Sequence, residues 1–298
     1  MSKKIISQLH DRSLIKFSEN DSRSLLQGLI SNDISLIDNE KMIFSSMLSP
    51  QGKFFCDFFI FQPDKNNKEN LYIDCNIIQT QEIIKKFNMY KLRANVKIVD
   101  VTENFSFFSY FEQLDISKFF EGDRKNLLSF CYVRNDPRLP ELGNRIYVPK
   151  NLEKDFKKQF KYHFNNHLYE QIRIGLGIPD GIKDISPDKD FPLDYGYDQL
   201  NAISFSKGCY VGQEITARTH NRGKVKKKIF KINANKNLPK HNSEIYYKDK
   251  KIGKILSIFN THGLAILEIK PAQECIDNSD VLKSCEIEIT PSNVTWLN

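Results

Sequence analysis

The texture of the chain changes at Gly223. Beyond it come short apolar runs: Val225 to Ile232, Ile245 to Tyr247, Ile252 to Ile258, Leu264 to Ile269 and Glu286 to Ile289. Turn residues separate them at regular intervals, which predicts a small antiparallel barrel of about 75 residues, an ordinary domain size. The preceding region alternates helix and strand signals instead. Asp21 and Ser22 are cap residues before Leu25, Leu26 and Leu29. Met42 to Leu48 and Phe54 to Phe61 read as strands joined by the turn Ser49-Pro50-Gln51-Gly52. Leu71 to Cys75 and Ala94 to Val101 read as further strands, with a helix between them that Thr80 caps and that carries Ile83, Phe87 and Tyr90. Phe156, Phe160, Phe164 and Leu168 fall at steps of four, which predicts one amphipathic helix up to about Ile174. A loop rich in Pro, Gly and Asp follows, from Gly175 to about Asp198. The order predicts α+β followed by all-β, divided into 1–222 and 223–298.

At 298 residues the chain has room for a sizeable core, and 40% apolar with 27% charged residues is a globular profile. No apolar run approaches the roughly 18 residues of a membrane helix. The start, MSKKIISQLHDRSLIKF, reads as neither a signal peptide nor a transit peptide, so the expected location is cytoplasmic. Six cysteines, Cys56, Cys75, Cys131, Cys209, Cys275 and Cys285, are scattered without a CxxC pair, the usage of a reduced compartment. The net charge of +7 can attract nucleic acid or anionic ligands, but on charge alone a lysine-rich solvated surface is the simpler reading. No heptad or exposed apolar stripe points to an oligomer, so a monomer is expected.

The densest chemical signal is Lys207-Gly208-Cys209-Tyr210-Val211-Gly212-Gln213-Glu214, with Ala217-Arg218 just beyond. An ammonium close to a thiol favours the thiolate. Gly208 and Gly212 allow close backbone approach or positive φ, and Gln213 and Glu214 add an amide and a carboxylate. A nucleophilic thiol, a metal ligand and a ligand-binding loop all fit, as does a tight turn around a buried cysteine. No His or Asp lies close enough in sequence to suggest a cysteine-protease dyad.

The octapeptide resembles the signature of the YgfZ-type folate-binding proteins, which are relatives of the glycine-cleavage T-protein (GcvT) and serve iron–sulfur cluster proteins. Other segments match that family in order. Leu26-Gln27-Gly28-Leu29-Ile30-Ser31-Asn32-Asp33 is similar to LQGxxTND, with Ser31 for Thr; Leu48 to Lys53 to LSPQG(R/K); and Tyr90-Lys91-Leu92-Arg93 to YxLR. Asp136-Pro137-Arg138 with Leu142-Gly143-Asn144-Arg145 fits DPRxxxLGxR, and Arg173 to Asp180 fits RIxxGIPD. The resemblance implies a GcvT/YgfZ-like ring of two folate-binding α+β subdomains and a C-terminal antiparallel β-barrel. It also implies tetrahydrofolate as ligand and a role in [4Fe–4S] enzyme maturation or repair, with an indirect effect on tRNA modification. The implied partners are iron–sulfur assembly proteins or their client enzymes. A reduced pterin offers an amino-pyrimidinone edge to a carboxylate, and its glutamate tail suits Lys or Arg. Asp57, Asp198 and Glu214 are the candidate carboxylates, and Arg93, Lys207 and Arg218 the candidate cations, with Gly208, Tyr210, Gly212 and Gln213 lining the same site and Cys209 as the functional thiol.

One departure bears on catalysis. The T-protein has a doubled aspartate after the hairpin turn, one of which assists aminomethyl transfer; here Phe55-Cys56-Asp57-Phe58 keeps one acid. The resemblance thus implies a folate-binding protein rather than a classical enzyme. The alternative is an aminomethyltransferase-like enzyme using Asp57. His163 and His167 have chelating spacing, but no nearby Cys or acid completes a ligand set, so no metal site is expected. Gly175-Leu176-Gly177 is followed by Pro179, which ends a dinucleotide-binding reading. Residues 218–228 hold six basic residues in eleven, a further alternative as an RNA- or partner-binding module. No aromatic residue interleaves, so direct RNA binding is not expected.

Overall fold

The structure is a computed structural model that describes residues 6–111, 130–159, 164–223 and 225–297. The chain folds as two compact units, each assembled from three separate stretches. The first takes the described residues of Met1–Met47, Cys56–Tyr169 and Leu200–Val211; the second takes those of Leu48–Phe55, Glu170–Gln199 and Gly212–Asn298.

The first unit is built on two antiparallel sheets. Their strands are β1 (Ile6–Gln8), β2 (Arg12–Ser18), β3 (Ile43–Leu48), β4 (Phe54–Phe61), β5 (Leu71–Asn76), β6 (Lys97–Asp100), β7 (Phe105–Tyr110), β8 (Tyr132–Asn135) and β9 (Asn144–Pro149). One sheet has the order β3-β4-β5-β2-β6 and the other β1-β7-β9-β8. Helix α1 (Ser22–Leu29) buries Leu26 and Leu29, and α2 (Thr80–Lys91) buries Ile83 and Phe87. Thr80 is the first residue of α2 and donates to the Ile77 carbonyl, so it opens the helix without capping it. Every residue of β4, FFCDFFIF, is buried, as a strand covered on both faces requires. Its Phe58 faces Phe87 of α2, at 6.1 Å between ring centroids. Phe59 and Phe61 point the other way, where Phe61 meets Tyr147 of β9 at 4.5 Å. Side-chain alternation puts Asp57 on that second face too.

The expected long helix from Phe156 to Ile174 is two helices, α3 (Glu153–Gln159) and α4 (Leu168–Leu176). Phe164 instead bridges to Ile6, and its ring packs at 6.0 Å from Phe108. Asn165 causes the break: its N–H goes to the Ile6 carbonyl, and its side chain accepts from His167 N as α4 begins. Phe160 and His163 lie outside the described residues.

The second unit contains a closed barrel of β10 (Lys227–Asn233), β11 (Glu244–Tyr247), β12 (Lys250–Phe259), β13 (His262–Glu268), β14 (Leu282–Ser284) and β15 (Ile287–Ser292), in the order β10-β13-β12-β11-β14-β15. Helix α5 (Gln213–Asn221) precedes it, and α6 (Ile269–Asp277) contributes Ala272 and Cys275 to its core. Phe230, Ile232, Ile255, Ala265 and Leu267 fill the interior. The alternate residues Ile229, Leu264 and Ile266 are equally buried, because residues 178–195 cover the outer wall. Arg173 fastens this cover. Its guanidinium, fully buried, reaches the Ile178 carbonyl at 2.7 Å, Asp184 at 3.3 Å and Ser257 Oγ of β12 at 2.9 Å.

Candidate functional site

Lys207 explains how the octapeptide is held. Helix α1 ends at Leu29 and leaves carbonyls without intrahelical partners. The Lys207 ammonium donates to three carbonyls there: Gln27 at 2.6 Å, Ile30 at 2.8 Å and Asn32 at 2.9 Å. A cation suits the negative end of the helix dipole, while burial pulls its pKa down to about 8, with Asp33 opposing. The contact is reciprocal: Ser31 Oγ donates to the Ala202 carbonyl at 2.6 Å and Asn32 Nδ2 to that of Asn201 at 2.7 Å. Tyr210 is buried beneath, its ring centroid 4.9 Å from Lys207 Nζ, and Val211 N reaches the Gly28 carbonyl. Between these anchors Gly208 and Cys209 are exposed. The loop therefore presents one thiol to solvent from a fixed backbone. All three Lys207 donors are engaged, so a glutamate tail would have to displace a carbonyl from it.

Asp57 sits elsewhere in this unit, 7% exposed, on the face of the first sheet that looks toward the second. It joins a set of buried charges that sequence reading saw only in fragments. Arg12 and Arg145 both bind the Asp74 carboxylate, at 2.6 and 2.7 Å. Arg138 and Arg145 bind Asp136 at 2.7 and 3.3 Å, and Arg145 lies 3.7 Å above the Phe59 ring. Asp74 and, more weakly, Asp57 hold the Arg12 pKa up against burial. With Asp57 the set has three guanidiniums and three carboxylates, so charge is balanced inside the unit. The Asp136 motif is thus an internal ion network. Arg93 is exposed just beyond the end of α2.

The second half of the octapeptide belongs to the other unit. Gly212 has φ +85° and starts α5; a Cβ there would stand 2.6 Å from the Ser49 carbonyl oxygen and 2.9 Å from Leu48 Cβ. The Ser49–Gly52 turn and the Val-Gly-Gln-Glu turn therefore pack backbone on backbone. Gln213 is half-buried, and Glu214 and Arg218 are exposed on α5. Asp198 lies 3.7 Å from His220 Nδ1 of the same helix.

A cleft of about 680 Å³ opens between residues 189–195 and the outer barrel wall. Asp190 and Asp194 lie in it with Phe191 and Tyr195, and Lys189, Lys226, Lys227 and Lys254 also line it. Asp190 accepts from Tyr195 Oη and Ser186 N, both at 2.9 Å. Burial and the neighbouring Asp190 push the Asp194 carboxyl up to about 6, with Lys227 opposing. Neither Asp190 nor Asp194 was a candidate from sequence; the only signal was two acids four apart around Phe-Pro. Of the expected site residues none lines this cleft, although Lys226 and Lys227 come from the basic run 218–228. Among the described residues no group of three or more His, Cys, Asp or Glu is arranged to hold a metal ion.

The chain is similar to the crystal structure of glycine cleavage system aminomethyltransferase T from Bartonella henselae, with a TM-score of 0.75 over 99% of this chain and 86% of that one. The fold is that of the glycine-cleavage aminomethyltransferase. At 10% identity the aminomethyltransferase fold is all that this likeness establishes. Residues 226–298 match the family model described as CAF17, C-terminal beta-barrel domain. Curated relatives are named iron-sulfur cluster assembly factor IBA57 homolog, mitochondrial. The one from Dictyostelium discoideum is 31% identical over 77% of this chain and 62% of its own length. The one from Neurospora crassa is 31% identical over 75% and 52%. That from Cryptococcus neoformans is 24% identical over 94% and 87%. The chain thus spans little more than half the length of the first two. These relatives agree with the iron–sulfur assembly role that the resemblance implied, and they bear the IBA57 name rather than YgfZ. They correct the cytoplasmic expectation, since each is mitochondrial by name. That expectation rested on the lack of a recognisable leader, which is silent about compartment.

Proposed function

We propose that this chain supports maturation or repair of [4Fe–4S] enzymes as an IBA57- or YgfZ-type factor, with Cys209 as the thiol that meets the cluster or the protein carrying it. The exposed thiol on a loop pinned by Lys207 and Tyr210 carries this reading. Iron–sulfur assembly proteins and client enzymes are then the partners, and an influence on tRNA modification follows indirectly, through those clients. The test is restoration of [4Fe–4S] enzyme activity in Dictyostelium cells that lack their IBA57 homologue, using this chain behind a mitochondrial leader. Wild type is expected to restore activity and Cys209→Ala to lose at least about tenfold; full restoration by Cys209→Ala would overturn the role of the thiol.

The second element of the proposal is tetrahydrofolate, held in the cleft of the barrel unit. An amino-pyrimidinone edge presents two N–H donors to a carboxylate, which suits Asp194, and a glutamate tail suits Lys189, Lys227 or Lys254. Calorimetric titration with tetrahydrofolate and its 5-formyl derivative is expected to give micromolar binding that Asp194→Ala abolishes. Loss in Asp198→Ala alone would move the ligand to the Asp198–His220 pair, and no binding in wild type would remove folate from the mechanism.

A further inference from the structure

Helix α2 ends in a turn that its sequence does not favour. Ala94 N donates to the Lys91 carbonyl at 2.7 Å across Leu92 and Arg93, and Leu92 has φ 45° and ψ −107°. Those angles are the first central position of a type II′ turn, where glycine is the ordinary occupant because a Cβ is crowded. The turn is held from below: Lys91 Nζ donates to the Val96 carbonyl at 2.8 Å, and Val96 N to that of Ala94 at 2.9 Å. The leucine side chain does no work for the fold in return, being 86% exposed. Strain retained at an exposed apolar residue points outward, to something that the residue touches.

The surroundings say what chemistry that is. Met89, in the last turn of α2 and three positions before Leu92, is 57% exposed. Lys85 precedes it by four, and Arg93 and Lys97 are exposed on either side of the turn's return to edge strand β6. Lys85, Arg93 and Lys97 form no ion pair among the described residues, and Glu82 is the one exposed acid along α2. Asp21 stands at the far side of the turn, with its carboxylate accepting from Asn95 N at 2.7 Å, so the patch is an apolar tip in a rim where Lys85, Arg93 and Lys97 outnumber the acids. We infer that the Met89–Leu92–Arg93 tip docks a partner protein that offers an apolar pocket for Leu92 ringed by carboxylates. Complementary charge at such a rim steers encounter, and the buried apolar side chain holds the complex.

Three readouts test it. Purified Leu92→Gly is expected to melt no lower than wild type, because glycine relieves the turn; a fall of several degrees (about 4 °C or more) would show that the side chain serves the fold and overturn the inference. A photo-crosslinker, Leu92→p-benzoylphenylalanine, in mitochondria is expected to map to a carboxylate-rich stretch of one partner. Its yield should fall at least about fivefold in Arg93→Glu and at roughly 0.5 M salt, where charge is screened. No adduct, or one indifferent to both changes, overturns the inference. The third readout rests on the proposed role: Leu92→Gly should restore [4Fe–4S] enzyme activity at least about fivefold less well than wild type, and full restoration counts against docking. If wild type itself restores nothing while the salt-sensitive adduct persists, the proposed role falls and the docking tip stands.

Discussion

Asp194 and Lys207 show how one burial effect gives two outcomes. Both charges are penalised by desolvation, so the carboxyl is raised and the ammonium lowered. Lys207 keeps three carbonyls around its ammonium, a good geometry for the charged form. Asp194 has Asp190 beside it, which adds to the penalty. In the folded chain Asp194 holds its proton up to about pH 6, whereas in the unfolded chain it releases it near 3.8. The native state binds more protons in that window, so the contribution of Asp194 to stability is fully present below about pH 4 and is lost as pH rises through 6. The shift corresponds to about 1–2 kcal/mol after discounting for partial exposure. Asp194→Asn should remove this slope and, at pH 7, stabilise the chain by a similar amount. Urea midpoints at pH 4.5 and 7 measure it; a variant whose slope matched wild type would place the titration on another group.

At the scale of elements, glycine geometry separates two turns that look alike in sequence. Gly52 has φ +71° and a substituted Cβ would meet its neighbours at 3.2–3.3 Å, whereas at Gly212 the nearest atom is a backbone oxygen at 2.6 Å. At Gly52 the Gly212 carbonyl oxygen and two side-chain atoms need give only a few tenths of an ångström, whereas at Gly212 the Ser49 carbonyl at 2.6 Å stands closer than a Cβ can come and belongs to a hydrogen-bonded turn. Gly212→Ala should therefore cost about 2–4 kcal/mol and Gly52→Ala about 1. Equal costs in urea titrations would mean that the two turns do not bear on each other as described. Both motifs were visible in the sequence as motifs. Their contact was not, because some 160 residues separate them and no local propensity encodes a backbone approach. The barrel strands were legible for the opposite reason, since period and turn chemistry are local. Strands β2, β7 and β9 are illegible because they are buried on both faces and so carry no apolar–polar alternation, and β1 because it is only three residues long. The Asp194 cleft was illegible too: its perturbed carboxyl arises from burial against a barrel wall that lies more than thirty residues further along the chain.

For the whole molecule, the informative feature is which stretch belongs with the barrel. Sequence texture divides the chain near 222, but residues 170–199 pack on the outer wall through Ile185, Leu193 and Tyr195 and through the Arg173–Asp184–Ser257 cluster. That wall supplies one partner of a fully buried guanidinium, the Ser257 hydroxyl, and leaving a buried donor unsatisfied costs about 1–3 kcal/mol. A chain cut after Arg222 would leave Arg173 without Ser257 and those apolar side chains without cover. Residues 170–199 should then be unfolded, while the two-sheet unit keeps its core. Limited proteolysis of 1–222 with trypsin is expected to cut first at Lys183 and Lys189, which the full chain holds in folded backbone, and hydrogen exchange should show protected amides in β2, β4, β5, β7 and β9 and none in 170–199. If 1–222 resisted cleavage at both lysines, residues 170–199 would be folding without the barrel wall, and the wall would not be what orders them.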